Sequence, residues 1–214
     1  MKTIVRREVK TRNTKWAEQI ARFLCRLHVK PNHISIAGVF FAIAGAAALW
    51  GMSKASGHFA VVLLAIGAIA GIQGRLLCNL FDGMVAIEGG QRTKSGELFN
   101  DFPDRISDTF LLIGAGCATG SNCGVILGCI VAILSMMTAY VRVLGGAAGA
   151  TQYFMGPMAK QHRMAILTLS VIVCIIVPGY IEEIMTGMLL LIGVGCVITV
   201  LRRLHRIYCE LEKK

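Results

Sequence analysis

The sequence predicts an all-α integral membrane protein in which six transmembrane helices follow an N-terminal amphipathic interfacial helix. Of its 214 residues, 55% are hydrophobic and 16% are charged, and the mean hydropathy is +0.66. The apolar residues form runs close to the roughly 20 residues that a helix needs to cross a bilayer. The 24 glycines and the aromatic share of only 7% are typical of helices that pack closely in lipid. This composition excludes a disordered chain, a collagen and a coiled coil.

The first predicted helix covers residues 14–27, and its two faces differ in polarity. At helical spacing, apolar side chains collect on one face and charged side chains on the other. The apolar set is Trp16, Ile20, Phe23, Leu24 and Leu27, and the charged set is Lys15, Glu18, Arg22 and Arg26. Such a helix is typical of a membrane surface, and the alternative is a helix packed on protein. Pro31 then separates it from the first span.

Six segments are predicted to cross the membrane. In chain order they are 34–52, 59–79, 95–119, 124–144, 164–177 and 185–201. The fifth segment is short, so we expect it to begin a few residues earlier. The third is apolar only over 109–119, and its charged first half should face a cavity. The whole chain, 1–214, is predicted as a single membrane domain, with the interfacial helix at 14–30, the six-helix part at 31–206 and a short basic tail at 207–214.

The distribution of basic residues predicts the orientation in the membrane. Nine of the 22 Lys and Arg lie between Lys2 and Lys30, and five more lie between Arg202 and Lys214. With both termini in the cytosol, the external loops of this topology contain a single basic residue, Lys54. This asymmetry follows the positive-inside rule, and basic ends are attracted to an anionic membrane surface. No nucleic-acid recognition motif accompanies the +10 net charge, so we expect no nucleic-acid partner.

Polar side chains are concentrated where the second and third predicted spans approach each other. All aspartates lie between Asp82 and Asp108, and a charge inside a bilayer costs about 2.5–3.5 kcal/mol or more. Spacings of three and four residues place them on single helix faces with two asparagines. These faces are Asn79, Asp82 and Ala86 on one helix and Asn100, Asp104 and Asp108 on the next. A short polar loop joins the helices, so the faces should meet. Their oxygens favour Mg²⁺, Mn²⁺ or Ca²⁺, and the alternative is a hydrogen-bonded polar seam.

The same stretch resembles the CDP-alcohol phosphotransferase family, whose pattern is D-x2-D-G-x2-A-R-x8-G-x3-D-x3-D. From Asn79 to Asp104 the chain reads N-L-F-D-G-M-V-A-I-E-G-G-Q-R-T-K-S-G-E-L-F-N-D-F-P-D. The residues that match in type and spacing are Asp82, Gly83, Ala86, Gly96 and Asp104. The segment Pro31-Asn32-His33-Ile34-Ser35 also resembles the entry to the family's first membrane helix. The resemblance therefore covers most of the chain.

The resemblance implies a divalent metal site, and three departures from the pattern bear on it. Asn79 and Asn100 stand where the family has its first and third Asp, and Ile87 stands where it has Arg. By resemblance, the ligands of Mg²⁺ or Mn²⁺ are Asn79, Asp82, Asn100 and Asp104, and Asp104 is also the catalytic base. An Asn still offers a carbonyl oxygen, but two carboxylates replace four, so metal affinity should fall and the number of ions stays open. Arg92, Lys94 or Arg105 could replace the missing Arg.

The resemblance also implies binding residues. Gly83, Ala86 and Gly96 would let the nucleotide approach the backbone closely, with plain helix packing as the alternative. Candidates for a lipid or acceptor phosphate are Arg142, Lys160 and Arg163. The alternative for these three is positive-inside anchoring.

The implied function is transfer of a phospho-alcohol group, with CDP-diacylglycerol as the expected donor, to a small alcohol acceptor with release of CMP. This reaction belongs to phospholipid synthesis, and the resemblance further implies a homodimer in a bacterial inner membrane. One alternative is a catalytically impaired relative that binds nucleotide or lipid, suggested by Asn79, Asn100 and Ile87. Another is a cation transporter that uses the same intramembrane acids. The identity of the acceptor is not predicted.

Overall fold

A computed structural model describes residues 14–90 and 96–213 of the chain. These two ranges are all-helical, and they contain seven α-helices and one short 3-10 turn at Pro178–Tyr180. The helices are α1 (Lys15–Arg26), α2 (Pro31–Met52), α3 (His58–Glu88), α4 (Gly96–Ala118), α5 (Asn122–Ala147), α6 (Lys160–Ile176) and α7 (Ile181–Leu211). The all-helical class is therefore confirmed. Because α7 continues to Leu211, the predicted tail from residue 207 begins as helix rather than as a separate segment.

Within residues 14–90 and 96–213, four stretches are long and apolar enough to cross a membrane. They are Pro31–Met52, His58–Glu88, Asn122–Ala147 and Pro178–Leu211. The other two predicted spans are helical as well, but α4 carries several charged residues in its first half and α6 has only 17 residues. Every predicted segment is thus a helix, and four of the six have the length and composition of a span.

Glycines bring α2 close to both α3 and α4. A Cβ atom added at Gly71 of α3 would lie 2.5 Å from the Cα of Gly45 in α2, and one added at Gly114 of α4 would lie 2.7 Å from the Cα of Ala46. Such contacts leave no room for a side chain, so the backbones touch directly. Further helix pairs continue the bundle, because α4 packs on α5, α5 on α7, and α6 on both α3 and α7. As a result α2 supports both helices that carry the sequence motif.

The interior of the bundle is one apolar cluster to which α2 to α7 contribute. Leu49, Ile72, Leu111, Leu167 and Leu189 are completely buried in it. Large apolar side chains also cover the outside of the long helices, and examples are Phe40, Phe59, Ile126, Leu190 and Leu201. Helices that are apolar all round are typical of membrane proteins.

Helix α1 packs on the C-terminal part of α3 through its small side chains. Ala17 and Ala21 are buried against Val85 and its neighbours, and the Trp16 ring meets Phe81 edge-on with 6.1 Å between centroids. The large apolar side chains of the predicted apolar face, such as Phe23, remain exposed. The predicted helix is therefore present, and the strip that holds it to the protein consists of alanines that the two-faced pattern did not single out. Its position at a membrane surface stays a prediction.

The connection between α5 and α6 is anchored to α7. The Glu210 carboxylate accepts hydrogen bonds from the Thr151 backbone N–H at 3.0 Å and from the Tyr153 hydroxyl at 2.9 Å. The bond to Glu210 raises the pKa of Tyr153. The backbone N–H of Met158 donates to the Thr199 hydroxyl at 3.1 Å. These contacts hold the connection against α7 just before α6, whose first residue is Lys160.

Candidate functional site

The two motif faces meet where α3 and α4 approach each other. The Asn79 side chain of α3 donates from Nδ2 to Asn100 Oδ1 and to Asp104 Oδ2 of α4, each at 3.0 Å. The three- and four-residue spacings of the sequence therefore do bring these residues together. We call the set Asn79, Asp82, Asn100 and Asp104 the motif cluster.

The side chain of Asp82 is hydrogen-bonded to α2 rather than to α4. Its side chain is 4% exposed, and its Oδ2 accepts a hydrogen bond of 2.7 Å from the Ser35 hydroxyl. Its Oδ1 is buried and has no hydrogen-bond donor among the described residues. Ser35 lies in the sequence segment that resembles the family's entry to its first helix, so this segment contributes a side chain to the site.

A small polar cavity joins all four residues of the motif cluster. It is lined by Ser35, Gly38, Arg75, Asn79, Asp82, Asn100, Pro103, Asp104 and Ser107. Its volume of about 10 Å³ is close to the minimum that holds one water-sized particle. The three residues predicted to contact the nucleotide do not line it. Gly83 is buried inside α3, Ala86 is half-buried, and Gly96 is the first residue of α4.

The chemistry of the motif cluster fits one divalent cation. All four side chains offer oxygen atoms, which Mg²⁺ and Mn²⁺ prefer. The buried Asp82 Oδ1 is the best candidate ligand atom, since it accepts no hydrogen bond from the described residues. The cavity has room for one particle of this size rather than two. Carboxylates are sparse, however, and the described residues contain no group of three or more His, Cys, Asp or Glu suited to a metal.

Lys160 from α6 reaches into the motif cluster. Its Nζ donates to Asn79 Oδ1 at 2.7 Å and also to Asp104 Oδ2. Its side chain is 18% exposed and that of Asp104 is 13% exposed, so both are accessible from outside. The structure therefore brings this predicted phosphate-binding residue next to the predicted metal ligands.

A buried ion network lies directly beneath the motif cluster. Asp108 Oδ1 accepts from Arg75 at 2.6 Å, and Asp108 Oδ2 accepts from Arg163 at 2.7 Å. Arg163 also donates to the Met158 carbonyl oxygen at 2.8 Å. Both arginines are 1% exposed and Asp108 is 2% exposed. Arg163 was predicted as a phosphate contact, but these contacts make it a buried partner of Asp108.

Arg75 was missed in the sequence, although a signal for it was present. It is the one charged residue within the predicted second span, 59–79, and lies one turn before Asn79 on the same face. A charged residue inside a span requires a partner. Its guanidinium is 2.6 Å from Asp108 and 3.3 Å from Asp104, so it connects the buried network to the motif cluster.

A second, more exposed group of charges surrounds Asp101. Arg142 donates to both carboxylate oxygens of Asp101, at 2.9 and 2.8 Å, and Arg105 donates to Asp101 Oδ1 at 3.0 Å. Arg142 also lies 4.9 Å from the centroid of the Phe154 ring. Asp101 follows Asn100 in the chain but lies about 100° from it around an ideal helix, and its contacts form a group separate from the motif cluster.

Among the described residues, no predicted substitute for the missing family Arg lines the cavity. Arg105 is bonded to Asp101, while Arg92 and Lys94 lie outside the described residues. Ile87 itself is exposed. Arg75 is the arginine that does line the cavity.

The charges around the cavity balance one another. The carboxylates of Asp82, Asp104 and Asp108 are accompanied by three basic groups, Arg75, Lys160 and Arg163. Adding a divalent ion alone would therefore leave an excess of positive charge, whereas an ion accompanied by a dianionic ligand would restore the balance.

One curated protein and several solved structures are similar to this chain. No protein-family model matches the chain. The inner membrane protein YnbA of Escherichia coli K12 is 24% identical over 160 residues, which are 75% of each protein. A crystal structure of Mycobacterium tuberculosis phosphatidylinositol phosphate synthase (PgsA1) with CDP-DAG bound is similar at a TM-score of 0.73 and 25% identity, covering 91% of this chain and 94% of that one. The same synthase in complex with manganese and citrate also has a TM-score of 0.73 and 25% identity, covering 90% and 88%.

Proposed function

We propose that this chain, which has the fold and the spaced motif of the CDP-alcohol phosphotransferase family, is a membrane transferase of phospholipid synthesis. It moves a phosphatidyl group from CDP-diacylglycerol to the hydroxyl of a small alcohol and releases CMP. The observation that carries this proposal is the convergence of Asn79, Asp82, Asn100 and Asp104 on one cavity. It is supported by the fold shared with a synthase that has CDP-DAG bound.

The protein crosses a bacterial inner membrane six times, with both termini in the cytosol. The charges in the first half of α4 are compatible with a crossing because they are paired inside the protein, as in the contact of Asp108 with Arg75. The 17 residues of α6 are at the lower limit for a span. The resemblance to the inner membrane protein YnbA supports the location. A homodimer follows from the family resemblance.

In the proposed reaction, the hydroxyl oxygen of the acceptor attacks the phosphorus that carries the diacylglycerol. The bond from that phosphorus to the bridging oxygen breaks, and CMP leaves with the electron pair. Asp104 takes the hydroxyl proton as general base, which its partial exposure allows. A divalent ion, Mg²⁺ or Mn²⁺, held by Asp82 and neighbouring oxygens of the motif cluster, would draw charge from the pyrophosphate and stabilise the leaving CMP.

We assign substrate contacts to the remaining predicted residues other than Arg163. The family resemblance places Gly83, Ala86 and Gly96 near the nucleotide, where small residues let a ligand approach the backbone, although none of the three lines the cavity. Arg142 holds the phosphate of the lipid or the acceptor, since its planar guanidinium matches phosphate oxygens and is not fully buried. Lys160, bonded to two motif residues, acts at the reacting phosphates instead. The role of Arg163 is to hold Asp108.

A second candidate function is binding of a nucleotide or lipid without transfer. It is favoured by the hydrogen bonds from Asn79 to Asn100 and Asp104, because they hold the motif cluster together without a further cation. Under this alternative the protein retains affinity for the CDP-lipid and releases no CMP.

The test is CMP release by the purified protein with CDP-diacylglycerol, a panel of small alcohols, and Mg²⁺, Mn²⁺ or EDTA. We expect release that requires a divalent ion and one of the alcohols. Asp104→Asn, which keeps the size of the side chain, should lower the rate by about 10²-fold or more. Glu182→Gln makes the same acid-to-amide exchange at an exposed residue outside the cavity, so it is the control and should leave most of the rate. Binding of CDP-diacylglycerol without release under any of these conditions would instead support the second candidate.

A further inference from the structure

We propose that the ammonium group of Lys160 is a built-in cation of the motif cluster, which holds Asn79 and Asp104 together and competes with a divalent ion for their oxygens. Lys160 was predicted to contact a phosphate, and no role toward the metal ligands followed from its position in the sequence. The proposal rests on the proposed function only in assuming that this site takes a divalent ion.

The contacts of Lys160 are those of a cation at a ligand site. Its Nζ donates to the amide oxygen of Asn79 at 2.7 Å and to a carboxylate oxygen of Asp104. These are two of the four side chains whose oxygens would otherwise bind a metal. An ion can take both oxygens only if the ammonium moves away, so the two cations exclude each other at this point.

The side-chain amide of Asn79 suits this arrangement because it accepts and donates hydrogen bonds at the same time. Asn79 accepts from Lys160 through Oδ1 and donates through Nδ2 to Asn100 and Asp104. An Asp at this position would place a carboxylate oxygen 3.0 Å from Asp104 Oδ2 with no proton between them, and like charges at that distance repel strongly. The substitution of Asn for the family's Asp therefore removes the need for a metal between residues 79 and 104.

Asp82 is the part of the motif cluster that Lys160 does not satisfy. Its Oδ1 has no donor among the described residues, and the cavity beside it has a volume of about 10 Å³. One divalent ion can bind at this end while the ammonium remains at the other. The inferred stoichiometry is one divalent ion per chain, with Lys160 in place of a second.

The experiment measures binding of Mn²⁺ alone to the purified full-length protein in detergent, by the loss of the electron paramagnetic resonance signal of free Mn²⁺. The wild-type chain should bind no more than one Mn²⁺. Lys160→Met should bind Mn²⁺ about tenfold more tightly or better, because a neighbouring positive charge has been removed. Lys160→Arg, which keeps the charge, should stay close to the wild type. Lys54→Met makes the same exchange at an exposed lysine and should have no effect.

Thermal unfolding supplies a second readout that needs no catalysis. Lys160→Met should unfold at a lower temperature than the wild type in EDTA and should regain stability when Mn²⁺ is added. If Lys160→Met does not fold, Lys160→Gln gives the same comparison, since its amide can still donate to Asn79 and Asp104 without a charge.

Three results would overturn the inference: two Mn²⁺ per wild-type chain, unchanged or weaker Mn²⁺ binding by the uncharged variants, or equally tight binding by Lys160→Arg and Lys160→Met. A lysine that only contacts phosphate predicts unchanged Mn²⁺ binding. These measurements report metal binding and not catalysis, so they can support or refute this inference even if the protein releases no CMP. Failure of the proposed transfer and failure of this inference are therefore distinguishable.

Discussion

Replacing Asp108 by Asn would leave two buried guanidinium groups without the carboxylate they share. Arg75 and Arg163 lie 2.6 and 2.7 Å from its two oxygens, and all three side chains are at most 2% exposed. Removing one partner from a buried ion pair costs about 3–5 kcal/mol, because the remaining charge is left uncompensated. For a chain of this size, 1 kcal/mol lowers the melting temperature by about 2–4 °C. We therefore expect Asp108→Asn to unfold about 6–20 °C below the wild type.

The assay is thermal unfolding of the purified protein in one detergent, followed by tryptophan fluorescence. Asp101→Asn is the matched control, since it removes the same charge from a carboxylate that also has two arginine partners, Arg105 and Arg142. Asp101 is 41% exposed, and solvent-screened pairs contribute about 0–1 kcal/mol. Because Asp101 has two such pairs, the control should lose no more than about 8 °C. Equal losses for the two variants would refute the view that burial of the network determines its contribution.

Two further predictions concern helix packing and the support of the motif cluster. Gly71→Ala should destabilise the protein by about 1–3 kcal/mol, because its Cβ would lie 2.5 Å from the Cα of Gly45. The control is Gly67→Ala, which should be tolerated because its Cβ would be 3.6 Å from the nearest side chain. Equal melting temperatures for the two variants would contradict the close approach. Ser35→Ala removes the 2.7 Å hydrogen bond to Asp82. We therefore expect weaker Mn²⁺ binding and a loss of about 1.5–3 kcal/mol of stability. An Mn²⁺ affinity equal to that of the wild type would show that Ser35 does not position the carboxylate.

The helices could be predicted from the sequence because apolar runs and helical spacing are local properties of the chain. All six predicted segments are helices, and α1 is present as well. The same local spacing placed Asn79, Asn100 and Asp104 on the correct helix faces, and α2, which packs on both α3 and α4, supports the helices that bring these faces together. Boundaries were less predictable: α3 continues nine residues beyond the predicted end at Asn79, and residues 81–85 of this extension are buried in protein.

The partners of the charged residues could not be predicted in this way. Lys160 and Arg163 looked equivalent in the sequence, at the start of one helix and three residues apart. In the structure Lys160 contacts the motif cluster, whereas Arg163 is buried beneath it against Asp108. The partners of Arg75 were not predictable for the same reason, because Asp104 and Asp108 lie on another helix.

The sequence by itself determined that this is an all-helical protein with membrane-like composition and that oxygen-bearing side chains of two successive helices face each other. These properties follow from periodicity and from short connections, which act within a few turns of helix. Only the tertiary structure decided which cation meets which carboxylate. That choice depends on how α6, 81 residues away along the chain, docks beside α3. Its physical basis is the need to pair every charge that is removed from water.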